Sequence, residues 1–143
     1  MWTGAILAGG RARRLGERDK GALRVGASSI LERQLAVLRA LTPHILIVGH
    51  PHPVADDRVR LVQDRLPGAG ALGGLYTALV EASTEQVLVI ACDMPFVSAP
   101  FLTALARFGA DVDAAVPRDS RGRHPLCASY QRRLADRLKA RID

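Results

Sequence analysis

A chain of 143 residues with 48% hydrophobic and 24% charged side chains can bury a core of its own and is too apolar to be disordered. Its 20 basic against 14 acidic residues give a formal charge of +6, which favours polyanionic ligands, but 4% aromatic content leaves few stacking platforms for single-stranded nucleic acid. No run approaches the ~18 apolar residues of a membrane span, and Cys92 and Cys127 lack metal-ligand spacing, so both read as reduced, buried small residues.

Trp2 to Ala8 reads as a buried strand that stops at Gly9-Gly10. Ser28 or Ser29 then caps a helix whose apolar positions Ile30, Leu31, Leu35, Leu38 and Leu41 recur at helical spacing. Glu32, three residues after Ser29, completes a capping-box pattern, and Pro43 ends the helix. Ile45–Val48 and Val59–Val62 are short apolar strands. A glycine-rich loop over Pro67–Gly74 leads into a helix over Leu72–Ala82. Gln86–Ala91 is apolar on both faces, as buried parallel strands are. Ala99–Phe108 reads as a helix, Ala114–Val116 and Leu126–Tyr130 as strands, and Gln131 onward as a basic amphipathic helix. Alternation of this kind predicts an α/β fold: three layers, with a mostly parallel sheet flanked by helices, as one domain over residues 1–143. Ligands of such sheets bind at the carboxyl ends of the strands, near the point where strand order reverses.

Two of those strand ends carry candidate chemistry. After Leu7-Ala8 come Gly9-Gly10, where the backbone can approach a ligand without Cβ interference, and then Arg11, Arg13, Arg14, Arg18 and Lys20. Successive N–H groups in a glycine turn form an anion nest, and the cations add charge for phosphate. Lys20 and Lys139 are the only lysines among the basic residues, so Lys20 is more informative than any one arginine. Lys20 is followed by Gly21, which departs from a Walker A loop; an arginine-rich surface turn is the plain alternative. After the strand Gln86–Ala91 comes Cys92-Asp93-Met94-Pro95. A carboxylate there is placed to hold Mg2+, which bridges phosphate oxygens; read alone, Asp93 equally caps the turn before Pro95.

Leu7-Ala8-Gly9-Gly10, Arg14-Leu15-Gly16 and Asp19-Lys20, with Cys92-Asp93-Met94-Pro95 further on, resemble the motifs of the molybdenum cofactor guanylyltransferases. Leu15 replaces a usual Met and Ala12 a common Ser, and Gly9 favours guanylyl over cytidylyl transfer, since the cytidylyltransferases usually carry Ala there. The resemblance implies a Rossmann-like nucleotidyltransferase fold and transfer of GMP from GTP to the terminal phosphate of molybdopterin, free or carrying molybdenum, with release of pyrophosphate. It implies nucleotide contacts at Leu7, Ala8, Gly9, Gly10, Lys20, Asp64 and Asp93, catalytic roles for Lys20, Arg14 and Asp93, and Asp93 as ligand of Mg2+. It extends the partners to molybdoenzyme-maturation proteins, with no nucleic acid and no membrane, in the cytoplasm. Gly70-Ala71-Leu72-Gly73-Gly74 is similar to the family's GPLAG loop and His124-Pro125-Leu126 to its HPL segment, although for His124 alone a structural role is the simpler reading. Relatives carry an asparagine near Val48-Gly49-His50, and this chain has none. The family's C-terminal segment is expected to be missing. Cytidylyl and sugar-phosphate nucleotidyltransferases of the same fold are the alternatives.

One alternative comes from another class. Gly68-Ala69-Gly70-Ala71-Leu72-Gly73 is a literal GxGxxG before a helix, and Asp93 lies at the end of the next strand, as in an NAD-binding module. Against it, Asp64-Arg65-Leu66-Pro67 separates the glycines from their strand.

Overall fold

The computed structural model describes residues 1–8, 24–25, 28–50, 54, 56–94 and 97–143. The strands are β1 (Trp2–Leu7), β2 (Arg24–Val25), β3 (Ser28–Ser29), β4 (Ile45–Val48), β5 (Val59–Val62), β6 (Gln86–Ala91), β7 (Ala114–Ala115), β8 (Arg118–Asp119), β9 (Gly122–Arg123) and β10 (Cys127–Gln131). The helices are α1 (Ile30–Leu41), α2 (Ala71–Glu81), α3 (Ala99–Gly109) and α4 (Ala135–Ile142), the last preceded by a 3-10 turn over Arg132–Leu134.

Helix boundaries follow local chemistry. Ser29, not Ser28, caps α1, its hydroxyl accepting from the Glu32 N–H at 3.1 Å. The exit is set by Thr42, held extended before Pro43, whose hydroxyl donates to the Trp2 carbonyl at 2.6 Å and ties the end of α1 to the start of β1. Ser98 caps α3 by accepting from the Phe101 N–H. The last helix begins later than its sequence pattern predicts. Gln131 stays in β10, donating its N–H to the Asp113 carbonyl and its Nε2 to the Gly109 carbonyl, and these tertiary bonds outweigh helical continuation.

A six-stranded sheet runs in the order β5-β4-β1-β6-β10-β7. Pairings among β5, β4, β1 and β6 are parallel, whereas β10 is antiparallel to both β6 and β7. Side chains alternate between two cores, as a period of two requires. Ile6, Ile45, Ile47, Leu88 and Ile90 meet Leu35 and Leu38 of α1 and Leu102 and Leu105 of α3. Ala5, Leu7, Leu46, Val48, Val87 and Val89 meet Leu75, Ala78 and Leu79 of α2, with Leu138 of α4 partly buried at the margin. Three layers result, with β1 and β6 apolar on both faces at the centre.

Chain direction changes at the middle of this sheet. From β1 the chain crosses to β4 and β5 on one side and then returns to β6 on the other. The β1–β6 boundary is therefore the switch point, where the carboxyl ends of two neighbouring parallel strands open a crevice.

Candidate nucleotide site

Both sequence motifs emerge at this crevice. Leu7 and Ala91 are register partners at the ends of β1 and β6, and the Cys92 N–H donates to the Leu7 carbonyl at 3.1 Å. On the other side of β1, the Ala8 N–H donates to the Val48 carbonyl at 2.9 Å. The chain thus leaves β1 gripped from both sides. Gly9, Gly10, Arg14 and Lys20, expected in the phosphate-binding loop, lie outside the described residues. Leu7 and Ala8 are buried, so their side chains face the core. Asp93 is exposed in the turn after β6, at the carboxyl rim of the sheet.

That turn has an anchor the sequence reading did not single out. Gln34, 2% exposed on α1, donates Nε2 to the Ala91 carbonyl at 2.9 Å and to the Met94 carbonyl at 3.0 Å. Met94 N–H also donates to the Ala91 carbonyl. One amide therefore clamps both ends of the four-residue turn that presents Asp93. The signal was a glutamine between Leu31 and Leu35 on the apolar face of α1, where a buried polar group must have a partner. Gln34→Leu should cost about 1–3 kcal/mol, the penalty for leaving buried carbonyls short of donors, in a denaturant titration, and should weaken metal-assisted nucleotide binding.

A third strand end contributes a loop. Asp64 follows β5, and its Oδ1 accepts from the Leu66 N–H at 2.9 Å and lies 3.3 Å from the Thr77 hydroxyl of α2. Thr77 in turn accepts from the Arg65 N–H. Asp64 thereby holds the segment from Gln63 to Gly70 against the first turns of α2. Gly73 permits the closeness: a Cβ there would lie 2.6 Å from the Leu66 carbonyl oxygen. Next to it, a Cβ added at Gly74 would meet the Leu7 side chain at 3.6 Å, an ordinary contact distance. The start of α2, capped at Gly70 without a side-chain bond, therefore borders the end of β1, and this helix N-terminus carries partial positive charge.

Cys127 and His124 have structural surroundings. Burial pushes the Cys127 thiol up to about 11, leaving it protonated and inert at neutral pH. His124 Nε2 lies 3.0 Å from Asp119 Oδ2. That contact, followed by the Arg121 N–H, holds the Asp119 carboxyl below its ordinary range.

The topology excludes the dinucleotide-binding reading of Gly68–Gly73. In that unit the glycine-bearing strand and the acid-bearing strand are neighbours; here β4 and β1 lie between β5 and β6. Among the described residues no three His, Cys, Asp or Glu side chains are grouped to hold a metal. The donor set instead fits an ion held by one carboxylate and completed by substrate phosphate oxygens and water, the usual condition for Mg2+.

The ends of β1 and β6 meet at the switch point of this sheet, and residues 4–143 match the MobA-like NTP transferase domain. The chain belongs to the MobA-like NTP transferases. It is 39% identical over 147 aligned positions to a Methanothermobacter thermautotrophicus protein named "Probable molybdenum cofactor guanylyltransferase", covering 95% of this chain and 74% of that one. The fold is similar to that of molybdopterin-guanine dinucleotide biosynthesis protein A from Archaeoglobus fulgidus (TM-score 0.76, 26% identity, 99% of this chain and 73% of that one). It also matches 2-C-methyl-D-erythritol 4-phosphate cytidylyltransferase from Thermus thermophilus (TM-score 0.73, 21% identity, 99% and 75% coverage), a likeness of fold alone. A Mycobacterium tuberculosis protein of the same fold has been solved with manganese (TM-score 0.71, 22% identity, 96% and 74% coverage). This MobA-like chain is accordingly a nucleotidyltransferase. Among its described residues no helix is long and apolar enough to cross a membrane.

Proposed function

We propose that this nucleotidyltransferase transfers GMP from GTP to the terminal phosphate of molybdopterin, free or carrying molybdenum, in the cytoplasm. The observation that supports the reading is the hydrogen bond from Cys92 N–H to the Leu7 carbonyl, which holds the end of β1 beside the Asp93 turn. The acceptor is an ionised phosphate, so no side chain need be deprotonated to make a nucleophile. Its oxygen attacks the α-phosphorus of GTP. A new phosphorus–oxygen bond forms as the bond to the β-phosphate breaks, and pyrophosphate leaves with that electron pair. The protein's contribution is alignment and charge neutralisation.

Asp93 would hold Mg2+, which when bound neutralises phosphate charge at the reacting centre. Lys20 and Arg14 would offset the charge developing on the α-phosphate and the pyrophosphate. The backbone from Leu7 to Gly10 would seat the nucleotide. Asp64 would support the nucleotide side through the loop that it ties to α2. Molybdoenzyme-maturation proteins are the expected recipients of the dinucleotide product.

Calorimetric titration of the chain with GTP, CTP, ATP and NADH, each with and without Mg2+, tests this. Selective GTP binding that strengthens with Mg2+ is expected. A preference for CTP would move the reading to cytidylyl transfer, and binding of NADH without any triphosphate preference would overturn it.

A further inference from the structure

The hairpin β8–β9 sorts its charges by face. Arg118 and Arg123 are directly opposite one another, as are Asp119 and Gly122, around the two-residue turn Ser120-Arg121. Gly122, at φ +116°, takes a conformation that a side chain would strain. Asp119, the hairpin's only carboxylate, is engaged by His124, and both belong to the face opposite Arg118 and Arg123, because neighbouring strand residues alternate. The two arginines are exposed and have no ion-pair partner among the described residues. Like charges directly opposite across a strand pair are unfavourable, and nothing in the hairpin relieves them.

The hairpin is fixed at its base. His124 N–H donates to the Pro117 carbonyl at 2.9 Å, Cys127 N–H to the His124 carbonyl, and Ala91 N–H to the Leu126 carbonyl at 2.8 Å. Tyr130 donates its hydroxyl to the Pro125 carbonyl at 2.6 Å. Ala91 is the last residue of β6, two before Asp93. The hairpin that carries the two arginines is thereby rooted beside the end of β6, at the rim that also carries Asp93. Their side chains start from Cβ atoms about 5 Å apart, a spacing from which two planar forks can grip one phosphate.

We propose that Arg118 and Arg123 form an anion site that takes the phosphate monoester of the acceptor substrate, separate from the triphosphate loop after β1. This assignment rests on the proposed guanylyl transfer for the identity of the acceptor, but the anion site itself rests on the hairpin alone. The site supplies what the Gly9–Lys20 loop cannot supply while occupied by GTP: a second set of cations for a second phosphate.

The test compares the full chain with the Arg118→Ala/Arg123→Ala double variant. The changes fall in an exposed hairpin and remove a repulsion, so the fold is retained. Two measurements are made. In the first, the acceptor KM with molybdopterin is expected to rise at least about tenfold, the loss of two charge-assisted contacts, while GTP affinity by calorimetry stays at the wild-type value. The Arg118→Lys/Arg123→Lys variant, which keeps charge but not the planar fork, should fall between the two. An unchanged acceptor KM, a parallel loss of GTP affinity, or a lysine variant equal to wild type would overturn the proposal. In the second, the guanidinium Nε–H resonances are followed by NMR during titration with inorganic phosphate and, at equal ionic strength, chloride. Phosphate-specific shifts at Arg118 and Arg123 are expected, and equal responses would show screening only and sink the site. Because this second measurement needs neither GTP nor molybdopterin, it decides the anion site even if wild-type chain binds no GTP, the result that would remove the parent function.

Discussion

Asp93→Ala should lower guanylyl transfer at least ~100-fold, the scale of losing one preorganised electrostatic group at a reacting phosphate. The turn that carries Asp93 is also fixed by the Gln34 amide and by the Cys92–Leu7 hydrogen bond, both of which Asp93→Ala leaves in place. Asp93→Asn is the sharper variant, since it keeps size and polarity but gives up the charge that attracts a cation. Steady-state rates over a range of Mg2+ concentrations check this. Both variants should need more metal and fail to recover the wild-type rate, with circular dichroism and unfolding midpoint close to wild type. Turnover near normal in purified Asp93→Ala would remove Asp93 from the reaction.

Lys20→Ala is expected to cause a loss of the same order, at least ~100-fold in kcat/KM for GTP. Lys20 and Lys139 are the only lysines among 20 basic residues, and Lys139 is bound to Asp143 at 2.6 Å at the far end of α4. A compact ammonium differs from a guanidinium in the geometry with which it meets a phosphate, so Lys20→Arg should restore charge but only part of the rate. The Lys20 losses should persist at saturating Mg2+, because they remove a different charge from the one Asp93 holds. Equal rates for Lys20→Ala and wild type at limiting GTP would assign the phosphate contact elsewhere.

The legible parts of the fold were those whose burial leaves a periodic mark. Gln86–Ala91 reads as a central strand because neither face has a polar residue between its ends, and α1 reads as a helix because Ser29, Glu32 and Pro43 mark its limits. The direction of β10 was not legible: Cys127–Gln131 has the same apolar character whether it runs parallel or antiparallel. Nor was the β8–β9 hairpin, where two-residue strands composed of Arg, Asp and Gly have no hydrophobic period. The positions of Asp93 and of the end of β1 at the carboxyl rim of the sheet were legible because each follows a recognisable strand. Gln34 escaped because its partners, the carbonyls of Ala91 and Met94, are 57 and 60 residues away in sequence. The bonds of Asp64 to Leu66 and Thr77 were not legible either, because they depend on a loop conformation that composition does not specify.

The central place of β1 also governs how the molecule is made. Its neighbour β4 follows within about one crossover, but its other neighbour, β6, pairs Trp2 with Gln86 and Leu7 with Ala91. During synthesis β1, β4, β5 and the helices between them can assemble while one long edge of an apolar strand still lacks its partner. An open edge of that kind is a template for pairing with another chain. Destabilising changes in β6 should therefore appear first as lost soluble yield, before any loss of activity in the molecules that fold.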